Sequence, residues 1–477
     1  MSSATSADVA FIKQKQNRSV NTEISSSSTS TQWMSLLNSW IISQICQPFI
    51  NRFLSTIVDK STENLRLHIP AIKSQRHFGR TDDEANNNNN AYQKGSQEIV
   101  TVTIHNPIWM TWKMLLDPKM GLGESYMEGA WSATPNPKEF LDVLIRAKRQ
   151  NSRQRGEKNS NSIKIRQYLL TSTMSTIRNV AWLVNYVLHR LRDNTVRQSA
   201  KNIEDHYDLG NDMFEIFLDN SMTYSCALFE DCNKPYLTSL ESAQYKKIDA
   251  LIDMMELDEN CNVLEIGCGW GAFAIRAVQR TGCKWTGLTI SHEQLAWGLD
   301  KVKEAGLEDK ISLIYRDYRM DTGKYDRVVS VEMVEAVGQA FLPQYFQVIS
   351  DRLKPNGKAV LQGIVCPDAY YENYCKSSDF IKKHIFPGGH MPSRGAIRCS
   401  LPEDLQFGEE KSIGLHYSCT LDCWFNTWIE KEDQLKNLGI SDKFHRKWQY
   451  YFCLCSSLFL HGHIDTIQFS LRKSAKN

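Results

Sequence analysis

The run Val263-Leu264-Glu265-Ile266-Gly267-Cys268-Gly269-Trp270-Gly271 limits what this chain can become more than any other stretch. A short apolar strand, Val263–Ile266, ends in alternating glycines and gives way to a helical pattern over Ala272–Thr281. Glycine adopts backbone conformations closed to other residues and lets a ligand approach the main chain. In an open α/β sheet, such a junction is where ligands bind. The spacing of Gly267, Gly269 and Ala272 also satisfies the dinucleotide rule GxGxxG/A, so the run alone leaves a dinucleotide or a purely structural turn open. Two features favour S-adenosylmethionine. Glu265, two residues before the first glycine, suits the ammonium of a methionine moiety and would repel a pyrophosphate. The next strand, Trp285–Thr289, lacks the terminal acid expected for an NAD ribose. Asp317, after the third strand, is placed to orient an adenine.

Strands and helices alternate through the rest of this half. Ser312–Tyr315, Arg327–Val331 and Lys358–Gln362 read as strands, and Phe341–Leu353 as a helix before the turn Lys354-Pro355-Asn356-Gly357. The alternation predicts a doubly wound, mostly parallel α/β sheet over 201–477. Upstream, Val100, Val102 and Ile104 alternate with Thr101, Thr103 and His105, a strand pattern. A helix over Pro137–Ala147 places Phe140, Leu141, Leu144 and Ile145 on one face. We assign 96–200 to a small N-terminal domain with a basic amphipathic linker. Residues 1–95 form a variable extension, polar and disordered over 1–31, with one amphipathic helix over 32–58. A linker or inserted loop is expected over 60–95, where the low-complexity stretch Thr81–Asn90 ends in five asparagines.

Charge is unevenly distributed. Between Arg146 and Lys201 stand 13 Lys and Arg against two acids, a local +11 in a chain whose total is +2. Within it, Ile177–Leu191 carries apolar residues at helical spacing. A basic segment with an amphipathic helix suits an anionic membrane surface. Nucleic acid is not expected, because no reader motif accompanies the charge. No stretch of 18 apolar residues occurs, so no transmembrane helix is expected. The N-terminus lacks a secretory pattern, and its Ser-rich, acid-poor composition has a faint likeness to a transit peptide. The 13 cysteines form no paired CxxC modules, so no metal is expected and the thiols suit a reducing compartment. The expected location is cytoplasmic and peripheral to a membrane, with a homodimer allowed for.

Ten separated runs together resemble one family, the cyclopropane-fatty-acyl-phospholipid and mycolic acid cyclopropane synthases. They are Gly121–Trp131 (GLGESYMEGAW), His206–Asn211 (HYDLGN), Ser221–Cys226 (SMTYSC), Val263–Gly271, Gly287–Gln294 (GLTISHEQ), Arg316–Arg319 (RDYR), Glu332–Gly338 (EMVEAVG), Ser378–Pro392 (SDFIKKHIFPGGHMP), Ile413–Leu421 (IGLHYSCTL) and Tyr450–Phe459 (YYFCLCSSLF). The resemblance covers about 99–477 and implies a class I methyltransferase (Rossmann-like) fold with a small helical N-terminal domain. The implied reaction adds a methylene from S-adenosylmethionine across a cis double bond of a phospholipid acyl chain. Tyr224 and Ser225 match contacts to the methionine part of the cofactor. Gly267, Cys268, Gly269, Trp270 and Gly271 match the glycine turn, with Glu265 before it. Thr289, Ile290 and Gln294 match the ribose side, and Asp317, Tyr318 and Arg319 the adenine loop. Cys226, Glu335, Ile364 and Tyr417 match a shell that holds a bicarbonate ion. Cys455 matches a cysteine once considered a nucleophile.

An isolated alkene is a weak nucleophile, whereas a sulfonium methyl is a strong electrophile. Methyl transfer leaves a carbocation, and a base must take a proton from the new methyl before a ring can close. Bicarbonate is expected to serve, with donors from the Cys226 and Ile364 amides and the Tyr417 hydroxyl, and with Glu335 accepting its hydroxyl proton. Water must be kept out, since it would trap the cation. Cys455 reads as core, because this chemistry needs no covalent intermediate. Gln362 stands where bacterial members carry His, and it can donate a hydrogen bond but cannot hold a proton. Ser393–Lys411 is less helical than its counterpart and is expected to border the acyl channel. The alternatives are an acyl C-methyltransferase that stops at a branch, a small-molecule N-methyltransferase, and a lipid-binding protein without catalysis.

Overall fold

The computed structural model describes residues 33–79, 99–156 and 210–475. The asparagine run, most of the basic stretch, the helix expected over 177–191 and residues 206–209 of the HYDLGN run lie outside the described residues.

A helix over 33–41 passes through a π-helical turn, Ile42–Cys46, into α1 (Gln47–Val58). Ile50, Leu54 and Val58, four apart, face inward. Strands β1 (Leu65–Ile69), β2 (Ser74–Phe78) and β3 (Val100–Ile104) follow, then α2 (Pro107–Leu116), α3 (Pro118–Met127), β4 (Trp131–Thr134) and α4 (Pro137–Gly156). The second half contains α5 (Leu240–Met255), β5 (Asn262–Ile266), α6 (Ala272–Thr281), β6 (Lys284–Thr289), α7 (His292–Glu304), β7 (Ile311–Tyr315), β8 (Tyr325–Val331), α8 (Leu342–Arg352) and β9 (Leu353–Val365). It closes with β10 (Leu405–Ser412), α9 (Gly414–Glu430), α10 (Asp442–Leu460) and β11 (Asp465–Lys473).

The seven-stranded sheet has the order β10-β11-β9-β8-β5-β6-β7. β9, β8, β5, β6 and β7 run parallel, while β11 and β10 join antiparallel. β5 is central and buried from Val263 to Ile266, as expected of a strand covered on both faces. This is the mostly parallel sheet of a class I methyltransferase. Helix α6 begins at Gly271 and stops at Gly282, both left-handed, with φ of 90° and 73°. Lys354–Gly357 is not a free turn. It forms an irregular start to β9, where the register with β8 jumps from Tyr325↔Leu353 to Arg327↔Lys358.

The linker expected over 60–95 is corrected at its beginning. β1 and β2 form there, and β1 pairs parallel to β3 within a four-stranded sheet of order β2-β1-β3-β4. Leu65, Leu67 and Ile69 alternate with Arg66 and His68 and are buried. The sheet and its helices share one apolar core with α9 and α10. Polar contacts cross the same seam: Tyr126 donates to Gln449 at 2.6 Å, and His461 lies 3.0 Å from Asp142.

Candidate active site

A cavity of about 720 Å³ opens at the C-terminal ends of β5, β6 and β8, where the strand order reverses on either side of β5. Open α/β sheets bind their ligands at this switch point. From there the cavity extends between the two halves of the molecule. Leu122 of α3, Leu144 and Ile145 of α4, Phe386, and Tyr451 and Leu458 of α10 line its apolar length. Ser393–Lys411, expected to border such a channel, does not line it: the segment forms a short helix and β10, at the far edge of the sheet from β5.

The sheet end of the cavity is polar. Gly267, Gly269 and Gly271 all have positive φ, and a Cβ at Gly269 would meet nothing within 4 Å, so the main chain there is open to a ligand. Glu265 is buried and accepts a 2.9 Å bond from the Trp285 indole. Burial pushes its carboxyl up to about 7. Such a carboxylate is suited to a cationic group arriving with a ligand. Thr289 donates to Gln294 at 3.0 Å. Arg319 grips Asp317 through Nε at 2.9 Å and Nη2 at 2.6 Å, both groups being largely buried. Tyr224 and Tyr451 join their hydroxyls at 2.9 Å. Ser225 accepts from Lys247, which is only 2% exposed. Burial pulls the Lys247 ammonium down, against the pull of Glu332. These residues fit S-adenosylmethionine: a glycine turn, a carboxylate for the ammonium and polar groups toward the sugar and base.

Beyond the glycines stand two half-buried carboxylates, Glu332 and Glu335. Glu332 follows β8 directly, with φ of 50°. Its Oε1 accepts the Cys226 amide at 2.9 Å and the Gln362 side chain at 2.8 Å. Its Oε2 accepts the Tyr417 hydroxyl at 2.7 Å. Gln362 is itself fixed by Gln468, which donates to its carbonyl at 2.9 Å. Glu335 accepts the Ile364 amide on Oε1, while its Oε2 has no hydrogen-bond partner. Burial and the neighbouring Glu332 push Glu335 up to about 8. Burial also raises Glu332, opposed by the Cys226, Tyr417 and Gln362 donors and by Lys247.

Three of the donors expected to surround a bicarbonate ion are engaged by the chain's own carboxylates. The Cys226 amide and the Tyr417 hydroxyl are spent on Glu332, and the Ile364 amide on Glu335. The residues present therefore do not fit a bicarbonate ion. Every expected cofactor residue lines the cavity except Gly271, which lies behind it as the cap of α6. Glu335, Ile364, Tyr417 and Cys455 line it too, whereas Cys226 and Gln362 reach it only through Glu332. Burial drives the Cys455 thiol far up, so no thiolate is available there. Sequence reasoning missed Glu332 and Lys247. The signal for Glu332 was present: a second carboxylate three residues before Glu335, in an apolar context.

The family model for mycolic acid cyclopropane synthetase matches residues 194–469. A tuberculostearic acid methyltransferase of Mycobacterium tuberculosis is 34% identical over 379 residues, 77% of this chain and 82% of that protein. A cyclopropane-fatty-acyl-phospholipid synthase of Escherichia coli is 30% identical over 376 residues, 79% of this chain and 88% of that one. The crystal structure of a mycolic acid cyclopropane synthase complexed with SAH and CTAB is similar at a TM-score of 0.53 and 28% identity. It covers 57% of this chain and 98% of that one.

Proposed function

The chain belongs to the mycolic acid cyclopropane synthetase family of S-adenosylmethionine-dependent lipid methyltransferases, and from that premise we propose a finer activity. It adds a methylene to a cis double bond in an acyl chain of an unsaturated phospholipid, closing a cyclopropane ring. One observation carries this reading: an apolar channel between α4 and α10 leads to two carboxylates, Glu332 and Glu335, beside the cofactor half of the cavity. A hydrocarbon substrate needs the channel, and the cation made from it needs the carboxylates.

S-adenosylmethionine supplies an electrophilic methyl when bound. Glu265 would hold its ammonium end, and the open backbone at Gly267–Gly269 would receive it. Leu144, Phe386 and Leu458 exclude water from the double bond, so that the cation is not trapped as an alcohol. The charge of the carboxylate pair stabilises the cation as it forms.

The test uses purified protein, labelled S-adenosylmethionine and vesicles of monounsaturated phospholipid, with the acyl chains read by mass spectrometry. Gain of one CH₂ with loss of the alkene is the expected result. Retention of an alkene or exomethylene would instead establish acyl C-methylation, the reading favoured by the 34% identity to a tuberculostearic acid methyltransferase. No transfer to lipid would turn attention to amine substrates.

Membrane docking is part of the proposal. Among the described residues no helix is long and apolar enough to cross a membrane. Trp33, Trp40, Trp109 and Trp112 are nonetheless exposed. The last two stand on α2, which packs against the channel-lining α3. Aromatic residues at a surface suit the lipid headgroup level, and the basic stretch after residue 146 adds attraction to anionic lipid. Binding to anionic vesicles should fall steeply with salt and fall again in a Trp109→Ala/Trp112→Ala variant. Equal, salt-insensitive binding to neutral lipid would remove this part.

A further inference from the structure

We propose that this chain carries its own base for the reaction, the carboxylate of Glu332, in the place that the family resemblance gives to a bicarbonate ion. The inference rests on the lipid-alkylating function proposed above and concerns the fate of the proton.

The first support is the donor set. A bicarbonate ion presents a planar pair of oxygens and needs hydrogen-bond donors around it. Here the planar pair belongs to Glu332. The Cys226 amide, the Gln362 side chain and the Tyr417 hydroxyl converge on it at 2.7–2.9 Å. Three donors to the ionised form hold a carboxylate in its charged state. The second support is Gln362. An amide cannot take up a proton, so it suits a partner fixed in place and charged before the step. Gln468 holds it in that orientation.

The third support is the backbone. Glu332 has φ of 50°, a left-handed conformation that a non-glycine residue enters at a cost of about 1 kcal/mol or more. Its amide is anchored to the Gln362 carbonyl at 2.7 Å. A residue kept there despite the cost is kept for where its side chain goes, and Glu332 lines the cavity beside Glu335.

The two carboxylates then divide the work. Together they hold one proton near neutral pH. Glu335 has the single Ile364 amide and an oxygen without a partner, so it carries that proton. Glu332, with three donors and Lys247 nearby, carries the charge.

The step balances as follows. The alkene π pair forms the new C–C bond while the S–CH₃ bond breaks and its pair stays on sulfur. The neighbouring alkene carbon becomes cationic. Glu332 takes a proton from the new methyl, and the freed C–H pair closes the second C–C bond of the ring. Glu332 leaves this step as a neutral acid and returns its proton to solvent once the product departs. No exchangeable base enters the cycle.

The test compares wild type with Glu332→Gln and Glu332→Gly in carbonate-free buffer, with and without added bicarbonate. Wild-type turnover should be the same in both. Glu332→Gln should lose about 100-fold or more, the scale of a general base. Calorimetry should find its S-adenosylmethionine affinity intact, which also shows that the variant folds. Glu332→Gly should regain turnover with bicarbonate. Loss of wild-type turnover without bicarbonate, or full activity in Glu332→Gln, would overturn the proposal. A second measurement needs no turnover: isotopically labelled bicarbonate should bind Glu332→Gly and not wild type, read by NMR line broadening. Binding to wild type overturns the proposal whatever the substrate. Failure of lipid turnover alone, with this binding pattern intact, would count against the substrate and leave the base assignment supported.

Discussion

The two ends of the cavity both rely on carboxylates drawn in from solvent but build them differently. At the cofactor end, Asp317 is gripped by Arg319, two residues away, and Glu265 by Trp285 on the adjacent strand. At the reaction end, Glu332 draws its donors from residues 30, 85 and 106 positions distant. The first arrangement is drawn from neighbouring strands and a single loop. The second exists only when the Ser221–Cys226 loop, β9 and α9 have all arrived. The difference teaches where tuning is done: the binding end is local, and the reacting end is assembled from across the fold.

The sharpest way to break this comparison is at Glu265. Glu265→Gln should weaken S-adenosylmethionine by about 10–100-fold, the scale of a hydrogen bond to a charged group, and leave turnover at saturating cofactor nearly unchanged. Calorimetry with a saturation curve separates the two. A fall in kcat with unchanged affinity would place Glu265 at the wrong end. Next, Tyr417→Phe removes one of Glu332's three donors. It should lower kcat about tenfold and move the acidic limb of the pH–rate profile upward, because the charged form loses support. Cofactor affinity should not change.

Glu335→Gln comes third. Glu335 is pushed up to about 8, so a neutral amide resembles its resting state. The loss of turnover should be well below that of Glu332→Gln. If Glu335→Gln is the more damaging, the two roles are exchanged. The smallest effect is on stability. Glu335 and Glu265 sit at about 8 and about 7, above the ordinary carboxylate range, so the folded chain holds protons that the unfolded chain has released. Their contribution is full below about pH 4.3, the unperturbed glutamate value, and is lost as pH rises through about 7 and then about 8. The gap in Tm between Glu335→Gln and wild type should therefore widen in favour of the variant from pH 5 to pH 8. A constant gap would show that Glu335 is ionised throughout.

What could be read in advance followed the same division. The glycine run, its flanking strand and helix, and the polar residues of the cofactor end lie within single units, and periodicity with turn chemistry identified them. β1 was lost because its three alternating apolar residues, Leu65, Leu67 and Ile69, are too few to stand out beside an asparagine run. Its parallel partner β3 is supplied from across that run. Glu332 stands inside EMVEAVG, where nothing adjacent reveals that Cys226, Gln362 and Tyr417 all turn toward it. The channel wall was sought in Ser393–Lys411, whereas α4 and α10 provide it.

That wall has a further consequence. Leu122, Leu141, Leu144 and Ile145 line the channel, yet they precede residue 194, where the match to the family model begins. Part of the wall that the proposed hydrocarbon meets thus lies outside the segment that holds the glycine turn and the carboxylates, while Phe386, Tyr451 and Leu458 within that segment complete it, and one core joins the two in space. Under the proposed function, exchange of residues 99–156 between relatives should shift chain-length preference without touching a reacting group. Diversity of lipid products across such enzymes can then accumulate in the wall while the chemistry stands still.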